Sequence, residues 1–285
     1  MPVNHYENFP VASILLPRHL RRPVESIYWF ARSADDIADE GDHPADWRLR
    51  ALEDYRLHLE RIVAGEAPDG GPWQELALMI ATHHLPVQLF RDLLDAFAQD
   101  VRQSRYRSFA EVESYCRRSA NPVGRLMLHL FGAIDPPNVR DSDAICTSLQ
   151  LLNFCQDVAI DWKKDRIYFP LDEMAAHGVG ERHIAEGIVD PAWQQLFEQQ
   201  LQRALNLLRQ GSGLPGRLRG RPAIELRAIV AAGERIGNHL MATRGDIFGR
   251  RPVLLRRDWL VIVLRAFGLL RAPGSRGQPL RASAP

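Results

Sequence analysis

Apolar positions repeat at helical spacing along nearly the whole chain. Val24, Ile27, Tyr28 and Ala31 make one such face, with Pro23 suited to a first helical position. Asp46 is placed to cap a helix over 47–64, with Gly65 just past its end. Pro86 is placed to open another, in which Val87, Phe90, Leu93, Leu94 and Phe97 share a face. Ser108-Phe109-Ala110-Glu111 reads as a capping box heading a helix that meets a break or kink at Asn121-Pro122. Further helices are expected from Asp141 or Ser142 through Asp161, and over about 191–210, 222–247 and 256–270. Strand signals are weak, and Arg166 to Pro170 is at most a short extended or turn segment. Gly211 to Arg217 reads as a loop, and the Ala-, Pro-, Gly-, Ser- and Arg-rich stretch 272–285 as a disordered tail. The reading is an all-α chain with one domain over 1–271.

Two of these helices carry acids on otherwise apolar surfaces, about 120 residues apart. Tyr28, Arg32, Asp35 and Asp39 follow one another at one-turn spacing, as do Gln150, Asn153, Asp157 and Asp161. A polar stripe is ordinarily a helix's solvent face. Here Leu151, Leu152, Phe154, Val158, Ala159 and Ile160 cover most of the remaining surface, so the stripe of the second helix needs buried partners. Carboxylates converging from two helices repel one another and are costly to bury unpaired. Divalent cations would remove that cost, and all-oxygen ligands suit Mg²⁺ completed by substrate phosphates. Just past the second motif, Lys163, Lys164, Arg166 and Tyr168 supply cations and a hydroxyl that suit a diphosphate. The plainer reading of that run is a solvated basic turn favoured by the helix dipole.

Composition narrows the picture. The chain is 46% hydrophobic and 25% charged, which is ordinary for a globular protein, and its net charge of +1 gives no footprint for nucleic acid. Three cysteines without a C-x-x-C pair predict reduced thiols and a cytoplasmic setting. The first residues lack the regions of a signal peptide, and no run approaches the roughly 18–20 apolar residues of a membrane span. The run Trp259 to Leu264, resumed at Ala266 to Leu270, reads most simply as a core helix. Its second reading is peripheral membrane contact at the inner face, helped by Arg256, Arg257, Arg265 and Arg271. Gly211-Ser212-Gly213-Leu214-Pro215-Gly216 matches G-x-G-x-x-G but lacks a strand before it, so it is no dinucleotide fingerprint.

Over about residues 5–250 the two acidic motifs, in that order, resemble the head-to-head isoprenyl diphosphate synthases, the squalene and phytoene synthase family. The resemblance implies an all-α isoprenoid synthase fold with a central cavity between the two Asp-rich helices. It implies that Asp35, Asp39, Asp157 and Asp161 bind Mg²⁺, with Asn153 assisting, and that Arg32, Lys164, Arg166 and Tyr168 contact diphosphate. Tyr28 and Gln150 would line the reaction pocket and steer a carbocation. Phe30, Phe131, Leu152, Phe154 and Phe248 are candidates for the apolar lining, though each alone reads more simply as core.

The string Asn153 to Lys164 and the stretch Ser119 to Gly124 are similar to the bacterial hydroxysqualene synthase branch, which serves hopanoid biosynthesis. Many squalene and phytoene synthases have Arg where this chain has Gln156, and a V-A-G-x-V-G-like stretch where it has Ser119 to Gly124. Losing a cation at 156 suits an enzyme handling one diphosphate, and Asn121 adds a polar group that would position water. The branch implies that presqualene diphosphate is the substrate, that Mg²⁺ is the cofactor without NADPH, and that neighbouring pathway enzymes are partners. The alternatives are condensation of prenyl diphosphates to presqualene diphosphate, squalene or phytoene, and a catalytically silent scaffold.

Overall fold

The computed structural model describes residues 16–66, 70–249 and 251–270; the N-terminal segment and the tail from 271, including the expected disorder, lie outside them. The expected all-α architecture holds: among the described residues there are thirteen helices, and the one β-feature is an isolated bridge between Arg105 and Ile167. They are α1 (Arg18–Asp39), α2 (Ala45–Val63), α3 (Gly71–His83), α4 (Val87–Arg102), α5 (Phe109–Ser119), α6 (Asn121–Leu130), α7 (Pro136–Lys163), α8 (Leu171–Ala176), α9 (Glu181–Glu186), α10 (Pro191–Gly211), α11 (Leu214–Arg217), α12 (Arg221–Thr243) and α13 (Arg256–Ala266). No helix among the described residues is long and apolar enough to cross a membrane.

Several element boundaries differ from the sequence reading, for local reasons. Helix α1 starts at Arg18, so Pro23 falls inside it rather than at its first position, and the bond its missing N–H would give to the His19 carbonyl is lost. Helix α2 is preceded by Pro44, and Asp46 sits in its first turn as a dipole partner rather than a cap. Ser108 is extended ahead of α5 but makes no side-chain cap; Glu111 turns instead to the backbone N–H of Arg107 at 2.8 Å. Helix α7 begins at Pro136, well before Asp141, because Asp135 caps it by accepting the Asn138 N–H at 2.8 Å. The expected loop after α10 is partly helical, as α11. The break at Asn121-Pro122 is present, between α5 and α6.

Apolar packing forms two main clusters. One knits α1, α2, α3 and α4 around Phe30, Phe90, Leu93 and Leu94, and reaches Leu126 and Leu130 of α6. The other knits α5, α7, α10 and α12 around Leu152, Phe154, Trp193, Phe197 and Leu240. Helix α6 joins them by lying close on α7, where Gly124 is required: a Cβ there would overlap Ser142 Oγ and Cys146 Sγ. Cys116, Cys146 and Cys155 are free thiols, and burial pushes each up to about 12.

Candidate active site

The acids of α1 and α7 come within electrostatic reach of one another, Asp39 of α1 acting on Asp161 of α7. On α1, Arg32 reaches forward one turn to Asp35 at 3.2 Å and to Asp36 at 2.7 Å. The end of the helix is fixed by Arg48 of α2, whose guanidinium donates to the carbonyls of Ile37 at 2.8 Å, Gly41 at 2.6 Å and His43 at 3.0 Å. These bonds satisfy carbonyls that a helix C-terminus leaves open, and so hold Asp39 in place.

The segment leaving α7 crosses to α1. Arg166 meets Asp39 at 2.6 Å, and Lys164 meets it at 3.2 Å and Glu40 at 3.7 Å. The isolated bridge aims these side chains. The Ile167 N–H donates to the Ser104 carbonyl and the Leu171 N–H to that of Tyr106, both at 2.9 Å, pinning 167–171 beside the end of α4.

Behind the acids lies a group the sequence reading missed. Asp100 of α4 is buried and accepts the Tyr115 hydroxyl at 2.6 Å and the Tyr168 hydroxyl at 3.2 Å, while its carbonyl accepts from Arg166 at 3.3 Å. Burial raises its carboxyl to about 6, with Asp39 adding and the two tyrosines and Arg166 opposing. A signal existed: Asp100 continues the apolar stripe of Leu93 and Phe97. Tyr168, expected to touch diphosphate, is buried, with its ring stacked on Phe154 at 3.8 Å and its hydroxyl given to Asp100. Its placement is therefore behind Arg166 as a support.

Asp157 is clamped by both the Nε and Nη2 of Arg251, which lies between α12 and α13 and which no local pattern marked. The same stretch is fastened by Gln156, whose amide donates to the Pro252 carbonyl at 2.7 Å. Gln156 is thus buried against the backbone of that stretch, and the cation that position 156 lacks is supplied from Arg251. Asn121 is also buried, and its side-chain oxygen accepts Thr147 Oγ1 at 2.9 Å, one turn before Gln150. Tyr28, Gln150 and Asn153 are half-buried on the two acidic stripes. Phe30, Leu152 and Phe154 are packed in the clusters, and Phe131 and Phe248 lie partly buried against them.

The electrostatics leave negative charge over. Burial raises Asp161 to about 8, with Asp157 and Asp39 adding and Arg166 and Lys164 opposing. Burial raises Asp35 to about 7, helped by Asp39, Asp100 and Asp36 against Arg32. Carboxyls held this high bind a hard cation at the expense of a proton, and the donors are all oxygen, so the residue types fit Mg²⁺. Among the described residues, no three Asp, Glu, His or Cys side chains converge to enclose an ion by themselves. That arrangement suits a metal held by one or two carboxylates and completed by phosphate oxygens. A depression beside Asp39, Asp100, Lys164 and Arg166, also lined by Arg48 and Arg102, opens the site to solvent.

Comparison with known proteins shows the family of the chain. A family model described as squalene/phytoene synthase matches residues 3–258. The chain is 36% identical to a hydroxysqualene synthase of Rhodopseudomonas palustris over 96% of this chain and 94% of that one. It is 30% identical to a phytoene synthase of Thermus thermophilus over 94% of this chain and 91% of that one. Among solved structures, the squalene synthase HpnC of Alicyclobacillus acidocaldarius superposes with a TM-score of 0.76 at 37% identity, covering 84% of this chain and 89% of that one. A dehydrosqualene synthase superposes with a TM-score of 0.81 at 20% identity, covering 90% and 88%, and shares the fold.

Proposed function

The chain belongs to the squalene/phytoene synthase family, and on that premise we propose that it converts presqualene diphosphate and water to hydroxysqualene and diphosphate, with Mg²⁺. The observation that carries this reading is the meeting of two half-buried aspartate pairs with Arg32, Lys164, Arg166 and Arg251 at one place. The branch is supported by the near full-length likeness to a hydroxysqualene synthase.

Asp35 with Asp39 on one helix and Asp157 with Asp161 on the other would hold Mg²⁺ by one or two carboxylates at a time, and bound metal would neutralise charge on the departing diphosphate. Arg32, Lys164 and Arg166 exchange their carboxylate partners for phosphate oxygens, Arg with a planar fork and Lys as a point charge. The substrate's C–O bond breaks with its electron pair going to diphosphate. Tyr28 and the amides of Gln150 and Asn153 then present ring faces and carbonyl dipoles to the carbocation left behind. Water adds to that cation, a new C–O bond forms, and the proton released passes to diphosphate. Asn121, tied to Thr147, holds the helix junction beside Gln150. The substrate in this scheme arrives from an enzyme that joins two prenyl diphosphates.

A second reading, condensation of prenyl diphosphates, is favoured by one observation: Arg251 brings to Asp157 the cation that position 156 lacks, so the cation count does not limit the site to one diphosphate. Mass spectrometry of products decides between them. Purified protein with presqualene diphosphate and Mg²⁺, without NADPH, should yield a C30 alcohol. Intact presqualene diphosphate alongside consumption of farnesyl diphosphate would reject the first reading in favour of the second.

A further inference from the structure

The turn that carries Lys164 and Arg166 depends on one residue in an unfavoured conformation. Helix α7 ends with the Asp165 N–H returning to the Trp162 carbonyl at 3.0 Å and the Arg166 N–H to the Asp161 carbonyl at 2.9 Å. This pair of bonds needs a left-handed residue between helix and exit, and glycine is usual there. Here the residue is Asp165, with φ at +57°. Aspartate enters this region more readily than most side chains, but still at a cost. The aim of two cations hangs on it. Lys164 precedes Asp165, Arg166 follows it, and both reach Asp39.

Arg105, in the link between α4 and α5, grips that residue. Its Nη1 donates to the Asp165 carbonyl, and to the Ser104 carbonyl at 3.0 Å. Its Nη2 donates to Asp165 Oδ1 at 2.9 Å and to Glu181 Oε2 at 3.1 Å, and its Nε to Glu181 Oε1 at 2.7 Å. A guanidinium has five N–H groups, and each of the five has an acceptor. The same group lies 5.7 Å from the ring centre of Trp162, in the last turn of α7. Charge attraction alone does not explain the arrangement, because the Asp165 side chain is 82% exposed and such pairs contribute little. The planar fork acts geometrically, holding the backbone and the side chain of one left-handed residue together, which a lysine cannot do. With every donor spent on the turn and on Glu181, none is left for substrate.

We infer that Arg105 is a positioning residue for the leaving group: by holding Asp165 left-handed, it aims Lys164 and Arg166 at diphosphate. This rests on the diphosphate role proposed above for those two cations. It does not depend on which prenyl diphosphate the site takes.

The test is calorimetric titration of the full chain with inorganic diphosphate in the presence of Mg²⁺, beside thermal melting. Arg105→Lys and Asp165→Ala should each weaken binding about tenfold. Asp165→Asn keeps an acceptor oxygen and a tolerance for the left-handed region, and should stay within about threefold of the unaltered protein. A Lys164→Gln/Arg166→Gln variant should itself bind diphosphate more weakly. Adding Arg105→Lys to it should bring no further loss, because the groups that Arg105 aims are gone. Unchanged affinity in the Lys164→Gln/Arg166→Gln variant would remove the proposed role of those cations, and the inference with it. Weakened binding there, with Arg105→Lys and Asp165→Ala unaffected, would overturn the positioning role alone. So would a loss from Arg105→Lys that is as large without the two cations as with them, since that marks general support of the fold. Arg105→Lys and Asp165→Ala break the same contact from opposite ends, so a folding failure in one leaves the other to decide.

Discussion

Two buried-acid regions of this molecule treat their charge in opposite ways. At α13, Asp258 receives Arg235, His239 and the Leu255 N–H; although burial alone would raise it, these partners hold the carboxyl down at about 2. At the meeting of α1 and α7, burial and neighbouring acids lift Asp35 to about 7 and Asp161 to about 8 despite the arginines and lysine nearby. A carboxylate with its hydrogen bonds complete is a fastener. One left short of positive charge is costly to the fold and suits a site that takes its charge from a ligand.

The contrast can be broken most severely at the fastener. Asp258→Asn removes the charge that Arg235 and His239 are buried against, and should cost about 3–5 kcal/mol of stability in urea unfolding. Specific activity of the remaining folded protein should be nearly unchanged. Equal loss of stability and activity would place Asp258 in the site after all. Asp161→Asn should show the converse. Activity should fall on the order of a hundredfold or more, while melting without Mg²⁺ stays level or rises, because a neutral amide escapes the repulsion. A fall in metal-free melting would mean that Asp161 is structural.

Between these lies a purely steric test of how α6 holds the two clusters together. Gly124→Ala forces a methyl onto Ser142 and Cys146 and should cost about 1–3 kcal/mol. An unchanged unfolding midpoint would mean that α6 and α7 have slack.

The smallest effects are in pH. Asp35 and Asp161 have native values raised above the unfolded value, so their contribution is present at low pH and is lost as pH rises through about 7 to 8 in the metal-free protein. Mg²⁺ competes with those protons. Its binding should therefore release protons near pH 7 and tighten as pH rises toward 8, as calorimetry in buffers of different ionisation enthalpy would read. Asp258 runs the other way: its native value lies below the unfolded value of about 4, so its contribution is present above that and is lost as pH falls from about 4 to 2. Near-ultraviolet dichroism of Trp259 should report loosening of α13 in that window and none near neutrality.

Much of this was written along the chain. Helical period fixed the all-α class, and one-turn spacing put Asp35 with Asp39 and Asp157 with Asp161, because a helix repeats every 3.6 residues whatever surrounds it. The break at Asn121-Pro122 was local as well, since proline's effect on the backbone needs no tertiary partner. Boundaries such as the start of α7 were harder, because Asp135 and Ser142 are both competent to begin a helix and only packing chooses between them.

Three decisions belonged to the tertiary structure. It brought Asp100 from α4 behind Tyr168, so that a hydroxyl expected at diphosphate serves a buried carboxylate instead. It carried Arg251 across 94 positions of sequence to Asp157, supplying a cation where Gln156 had suggested a loss. It turned α13 so that Asp258 and Arg265 face inward and its apolar face outward. In each case the sequence specifies what a side chain can bind, while the partner comes from a distant segment, and only the folded chain brings the two within the few ångströms over which hydrogen bonds and ion pairs act.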